Sequence, residues 1–164
     1  MKKFIKYCLL GITYLIIIYF LAIMFIVTAK ADIVKPNDGI EPFQVVKIQL
    51  RGLMKNDDPS LDYGIKQTWE FAHPNNQRFT GPLDNFTKMI KGESYKMLIG
   101  HIGHEILEID NDNKRALYEV IILGPDKKYF KFRWQVEKFL EDGPLKNCWL
   151  TTVVSQPIPM GSST

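Results

Sequence analysis

Two histidines and a glutamate fall within five residues in the segment His101-Ile102-Gly103-His104-Glu105. Imidazole nitrogens and carboxylates are zinc ligands. The spacing is neither His-Glu-x-x-His nor His-x-x-Glu-His, the helical arrangements that bring such ligands together. In an extended strand His101 and His104 would point to opposite faces, unless Gly103 forms a bulge. We therefore predict a polar strand junction here and no metal-ligating residues.

His73, which precedes Pro74, is a candidate base for a buried pocket. Trp69, Tyr118 or Glu119 could lie near it, and acid–base chemistry needs a titratable group beside an apolar cavity. The residues predicted to face inward are mostly apolar, so no buried pair of histidine and carboxylate is indicated. The favoured interpretation is that His73 braces a helix corner by hydrogen bonds. No catalytic and no cofactor-binding residues are predicted.

Other motifs that carry chemistry are missing from the sequence. It has no Gly-rich phosphate loop, no Gly-x-Ser-x-Gly elbow and no Cys–His nucleophile pair. Cys8 and Cys148 stand too far apart to suggest a disulfide framework. Trp69, Trp134 and Trp149 are expected in the core rather than around a cofactor.

The stretch from Tyr7 to Ala29 contains no charged residue. At ~1.5 Å per residue it could cross the ~30 Å hydrocarbon core of a bilayer as one helix. The alternative is a cleavable signal peptide, because Ala29-Lys30-Ala31 resembles a cleavage site. A signal core spans only ~7–15 residues, so the sequence favours a retained single-pass transmembrane helix.

Charge and composition divide the chain. Four of its 21 Lys and Arg residues, and none of its 18 acids, lie in residues 1–30. The remainder has a nearly even balance, which gives no basis for binding nucleic acid. We predict an anchor at 1–30, a linker at 31–41, one domain at 42–156 and a C-terminal tail at 157–164.

Three helices are predicted at the start of the domain. The first begins at Pro42 and carries an apolar stripe, the second runs from about Leu61 to Ala72, and the third follows Thr80-Gly81-Pro82. His73-Pro74 ends the second helix, since a residue before proline is driven from the α region.

The apolar period then changes from 3.6 to 2, which predicts four or five antiparallel strands. The strands are placed at Glu105 to Asp110, Arg115 to Leu123, about Phe130 to Glu137 and Cys148 to Ser155, with Tyr95 to His101 as a first strand or a transition. Phe130, Phe132, Trp134 and Val136 should form a dry face. Helices followed by strands indicate the α+β class.

Several segments resemble the uncharacterised DUF4864 family. They are Phe71-Ala72-His73-Pro74-Asn75-Asn76, Thr80-Gly81-Pro82-Leu83, Phe86-Thr87-Lys88-Met89-Ile90, Val46-Lys47-Ile48-Gln49-Leu50 and Trp134-Gln135-Val136. The resemblance implies an NTF2-like domain, also called a cystatin-like α+β cone, in which the first helix lies in the concavity of a curved sheet. The family brings no established activity with it.

Three functions remain open from the sequence. The leading expectation is a single-pass accessory subunit of a membrane complex that acts by protein–protein contact. Its partners would be other subunits and membrane lipids, without nucleic acid or cofactor. The expected location is the mitochondrial inner membrane, in a respiratory-chain assembly, with a thylakoid complex as the alternative. The other two expectations are a membrane-tethered carrier of a small apolar ligand, and an NTF2-like isomerase or dehydratase.

Overall fold

A computed structural model of the chain describes residues 12–20 and 32–162. The chain divides into two units after Asp32, and the second unit carries the fold described below.

The N-terminal membrane helix predicted for Tyr7 to Ala29 is not supported. Residues 12–20 are helical. None of the helices in the two described ranges has both the length and the apolar character to span a membrane. The prediction of a transmembrane, single-pass protein is corrected on this finding. Residues 7–11 and 21–29 of the predicted helix lie outside the described residues.

Four α-helices and a short 3₁₀ helix open the second unit. They are α1 (Pro42–Met54), α2 (Tyr63–Glu70), α3 (Pro74–Thr80), α4 (Leu83–Lys91) and the 3₁₀ helix Lys96–Leu98. Pro42 stands in the first turn of α1, where its missing N–H does no harm. The N-cap Glu41 and Gln44 satisfy each other's backbone N–H groups in a capping box.

The long helix α1 supplies much of the core. Val45, Val46, Leu50 and Leu53 are completely buried, while Phe43, an apolar residue in the first turn, is exposed to 41%. The buried face of α1 packs against the sheet and against α2. The predicted amphipathic first helix is therefore confirmed, apart from its first aromatic residue.

The helix α3 was not predicted from the sequence. His73-Pro74 does end α2, but Pro74 also occupies the first turn of a new helix, a position that proline favours. His73 is its N-cap, and Gly81 at its C-terminus has a φ of +82°. No residue of α3 is buried, so the apolar periodicity that would have revealed this helix is missing.

Five antiparallel strands form one sheet. They are β1 (Gly103–Asn111), β2 (Arg115–Leu123), β3 (Lys128–Lys138), β4 (Trp149–Val154) and β5 (Ile158–Ser162), and the first four are paired in chain order. The long β3 pairs on one side with β2; on the other side its C-terminal half pairs with β4 and its N-terminal half with β5. The α+β class is thus correct, and β5 lies within the segment expected to be a tail.

The inner face of the sheet is the one predicted. Phe132, Trp134 and Val136 are buried, and their neighbours Tyr118 and Val120 on β2 are buried with them. These side chains and the buried face of α1 form one core. The segment at 95–101 is no strand: it holds the 3₁₀ helix Lys96–Leu98, and β1 begins only at Gly103.

Candidate functional site

A cavity of about 260 Å³ lies between the helices and the inner face of the sheet. Much of its wall is apolar and comes from α2, α4 and β4, as in the side chains of Trp69, Phe86, Ile90 and Val154. Trp69 and Phe86 contact each other with ring centroids 4.9 Å apart. Because these walls belong to separate elements of the fold, the packing of helices on the sheet leaves the space open.

The inner end of the cavity is a buried polar cluster of Gln49, Trp134 and Thr151. Trp134 Nε1 donates to Gln49 Oε1 over 3.1 Å, and Thr151 Oγ1 donates to the same oxygen over 2.6 Å. Gln49 Nε2 donates to the Thr68 carbonyl over 3.0 Å. The cluster joins α1, α2, β3 and β4, and its members satisfy one another rather than face the cavity unpaired.

The remaining polar side chains of the lining are also engaged. Asn76 Nδ2 donates to the carbonyls of Thr151 and Thr152, over 3.0 and 2.7 Å. Tyr95 Oη donates to the Val154 carbonyl over 3.2 Å. Throughout the described part of the chain, no buried side-chain nitrogen or oxygen lacks a hydrogen-bond partner. A ligand in this cavity would therefore be held mainly by apolar contact.

The cavity offers no acid–base pair. Of the described residues that line it, none is Asp, Glu, His, Lys or Arg. The titratable group in the lining is the phenol of Tyr95, and burial raises its pKa above the usual value. A phenol with a raised pKa stays protonated near neutral pH, so it can donate a hydrogen bond but cannot act as a base.

His101 and His104 lie together, contrary to the expectation that they point apart. His101 Nε2 and His104 Nδ1 are 2.7 Å apart, and His101 Nδ1 donates to the Leu98 carbonyl over 2.7 Å. His101 precedes β1, and the chain turns at Gly100, whose φ is +63°. His101 lies before the strand and His104 lies within it. The rule that strand side chains alternate between the two faces therefore does not relate the two rings.

The proton positions in this pair follow from its contacts. A carbonyl only accepts, so His101 Nδ1 carries a proton and one further proton lies between the two rings. Burial lowers the pKa of both histidines; the positive charges of Arg51 and Lys47 lower that of His104 further. In the described ranges, no group of three or more His, Cys, Asp or Glu side chains is placed to hold a metal ion.

The other candidate residues are not brought together. His73 Nδ1 accepts from the Asn75 N–H over 3.1 Å, so His73 caps α3, and the predicted role as a brace is confirmed. Burial lowers its pKa. Glu119 forms an ion pair with Lys131 over 3.2 Å, and Tyr118 Oη donates to Glu108 Oε2 over 3.2 Å. None of these described side chains lines the cavity.

Sequence reasoning missed Gln49, the residue that organises the inner end of the cavity. A signal for it exists: Gln49 stands three and four residues after the buried Val46 and Val45, on the apolar face of α1. A polar residue on such a face must find buried partners. The identity of those partners, 85 and 102 residues away, is given only by the fold.

No protein-family model, curated protein or solved structure matches this chain. The resemblance to the DUF4864 family, and the NTF2-like fold that it implies, therefore stay predictions.

Proposed function

We propose that this domain is a binding module that holds a small, neutral, mainly apolar ligand in the cavity between its helices and sheet. The observation that carries the proposal is the cavity itself: about 260 Å³, without a charged residue in its described lining. An apolar cavity of ~150 Å³ in another protein suffices to bind benzene. Binding pockets of folded proteins have this character, with apolar walls and few polar groups.

The lining also argues for binding rather than catalysis. An isomerase or dehydratase needs a side chain that accepts or donates a proton near neutral pH. Tyr95 does not meet this need because its pKa is raised, and the described lining holds no other titratable side chain. Burial of apolar ligand surface at ~25 cal/mol per Å² supplies the driving force for binding.

Titration of the full-length protein with the neutral fluorophore 1-aminoanthracene tests the proposal. The dye's emission should rise on binding, and Ala72→Phe should suppress the rise because a ring on this buried lining residue fills the cavity. Leu61→Phe is the matched control, since it adds a ring at an exposed position outside the lining. Equal dye binding by folded Ala72→Phe protein and wild type would refute a ligand in this cavity.

The outer face of the sheet supports a second candidate, contact with other subunits of a larger complex. Residues paired across antiparallel strands share a face, which places Leu107, Ile121, Val153 and Ile158 on the side opposite the core. Leu107, Val153 and Ile158 are exposed. The ion pair of Glu119 and Lys131 lies among them on this face, so the surface is mixed apolar and charged, as at the polar rim of protein contact sites. The respiratory-chain assembly expected from the sequence stays a prediction.

Co-purification tests this second candidate. Partners that co-migrate with the wild type should be lost from the double variant Leu107→Asp, Ile158→Asp and kept by Ala72→Phe. Retention of every partner by the double variant would remove the outer face as their binding surface.

A further inference from the structure

The apolar surface of the cavity continues outward to an exposed rim. Phe79 and Met89 line the cavity, yet their exposed fractions are 93% and 38%. The inner residues Gln49 and Trp134 are each 1% exposed. The cavity thus runs from a closed polar end to an open apolar rim.

Phe79 is the most exposed of the large apolar side chains in the described ranges. It stands on α3, which has no buried residue and is held to the rest of the domain by side-chain bonds. Asn76 bonds the backbone of β4, and Gln77 Nε2 donates to the Trp69 carbonyl over 2.9 Å. These bonds fix the helix at the edge of the cavity while they leave the phenyl ring in water.

A compact ligand inside the cavity would leave this rim uncovered. A ligand longer than the cavity would bury the rim as well, and full burial of a Phe ring is worth roughly 10- to 100-fold in affinity. The polar groups at the inner end bond one another, so a polar ligand end gains little there and is better solvated outside.

We propose that the ligand is an unbranched apolar chain longer than the cavity, with its apolar end inside and its outer methylenes covered by the ring of Phe79. This inference rests on the proposed function. Phe79 then acts as a selector for chain length, since only a ligand that emerges from the cavity reaches it.

A series of 1-alkanols from hexanol to dodecanol, competing with 1-aminoanthracene on the full-length protein, tests the inference. With wild type, affinity should rise about fourfold per methylene through the whole series. With Phe79→Ala, short chains should bind as they do to wild type, and the rise should flatten once the chain reaches the rim. The longest alkanols should then bind about tenfold or more weakly.

Two controls separate contact from folding. Phe79→Leu restores an apolar side chain and should recover most of the long-chain affinity. Leu61→Ala removes another exposed apolar side chain outside the lining and should leave the series unchanged. Because the ring of Phe79 is exposed, the melting temperature of Phe79→Ala should match that of wild type.

The outcomes distinguish this inference from the proposed function. An equal loss for short and long alkanols in Phe79→Ala, or no loss for either, overturns the chain-length selector and leaves the binding cavity standing. If wild type binds neither dye nor alkanol, the binding function fails and the selector fails with it.

Discussion

Gln49 is a buried polar residue that lies between the hydrophobic core and the inner end of the cavity. Its side chain is 1% exposed, and its amide oxygen accepts from both Trp134 and Thr151. An apolar side chain here would fit the stripe of α1 but would leave the buried Thr151 hydroxyl without its acceptor, while Trp134 Nε1 would keep only its 3.3 Å bond to Thr151 Oγ1. A buried donor without an acceptor costs about 1–3 kcal/mol of stability. The bonds of Gln49 therefore stabilise the packing of α1 on β3 and β4.

Gln49→Leu should therefore lower the free energy of unfolding by about 1–3 kcal/mol. Urea denaturation of wild type and variant measures the difference. Gln156→Leu is the matched control, because Gln156 is exposed and its bond to Tyr95 Oη is long, at 3.4 Å. The control should stay within about 0.5 kcal/mol of wild type. Equal stability of Gln49→Leu and wild type would show that the cluster contributes nothing.

At the scale of elements, α1 and α2 approach each other through two glycines. A Cβ added to Gly64 would lie 1.9 Å from the carbonyl oxygen of Gly52 and 2.9 Å from Asn56 Cα. Both are backbone atoms, so the helices would have to separate. Asn56 Oδ1 accepts from the Ile65 N–H over 3.1 Å at the same contact, and separation would stretch this bond too.

Gly64→Ala should destabilise the domain by about 3 kcal/mol or more, since overpacking of the helix contact outweighs the ~1 kcal/mol that alanine gains in a helix. Gly103→Ala is the matched control, because a Cβ there meets nothing within 4 Å. Thermal unfolding followed by circular dichroism compares the two. A melting temperature for Gly64→Ala equal to that of Gly103→Ala would contradict the close approach.

Elements with a strong apolar period could be predicted, and those without one could not. The alternation along β3 predicted its buried face, and Pro42 predicted the start of α1, whose apolar stripe predicted the face that it buries. The helix α3 buries nothing, and β5 is exposed along its length. Neither leaves a pattern, although α3 carries the rim residue Phe79. The cavity depends on distances between elements, which no local pattern encodes.

At the scale of the whole molecule, all three histidines of the chain act on stability in the same direction. The pKa values of His73, His101 and His104 are lowered in the folded state, mainly by burial. The unfolded chain, with histidine pKa values near ~6.5, then binds more protons. The contribution of these histidines to the free energy of unfolding is therefore fully present above pH ~6.5 and declines as the pH falls below that value. The pKa of Asp62 is lowered by its bond to Lys91, which adds a second loss below pH ~3.9.

The free energy of unfolding should therefore be smaller at pH 5.5 than at pH 7.5, and the decline should come from the histidines. Replacement of His104 by Gln should flatten the dependence, because it removes one of two coupled imidazoles while the bond of His101 to Leu98 remains. Lys96→Gln is the control, since Lys96 bonds to Glu93 and to neither imidazole, and it should keep the wild-type slope. Urea denaturation at both pH values gives the slopes; a wild type that is more stable at pH 5.5 than at pH 7.5 would reverse the sign that burial predicts.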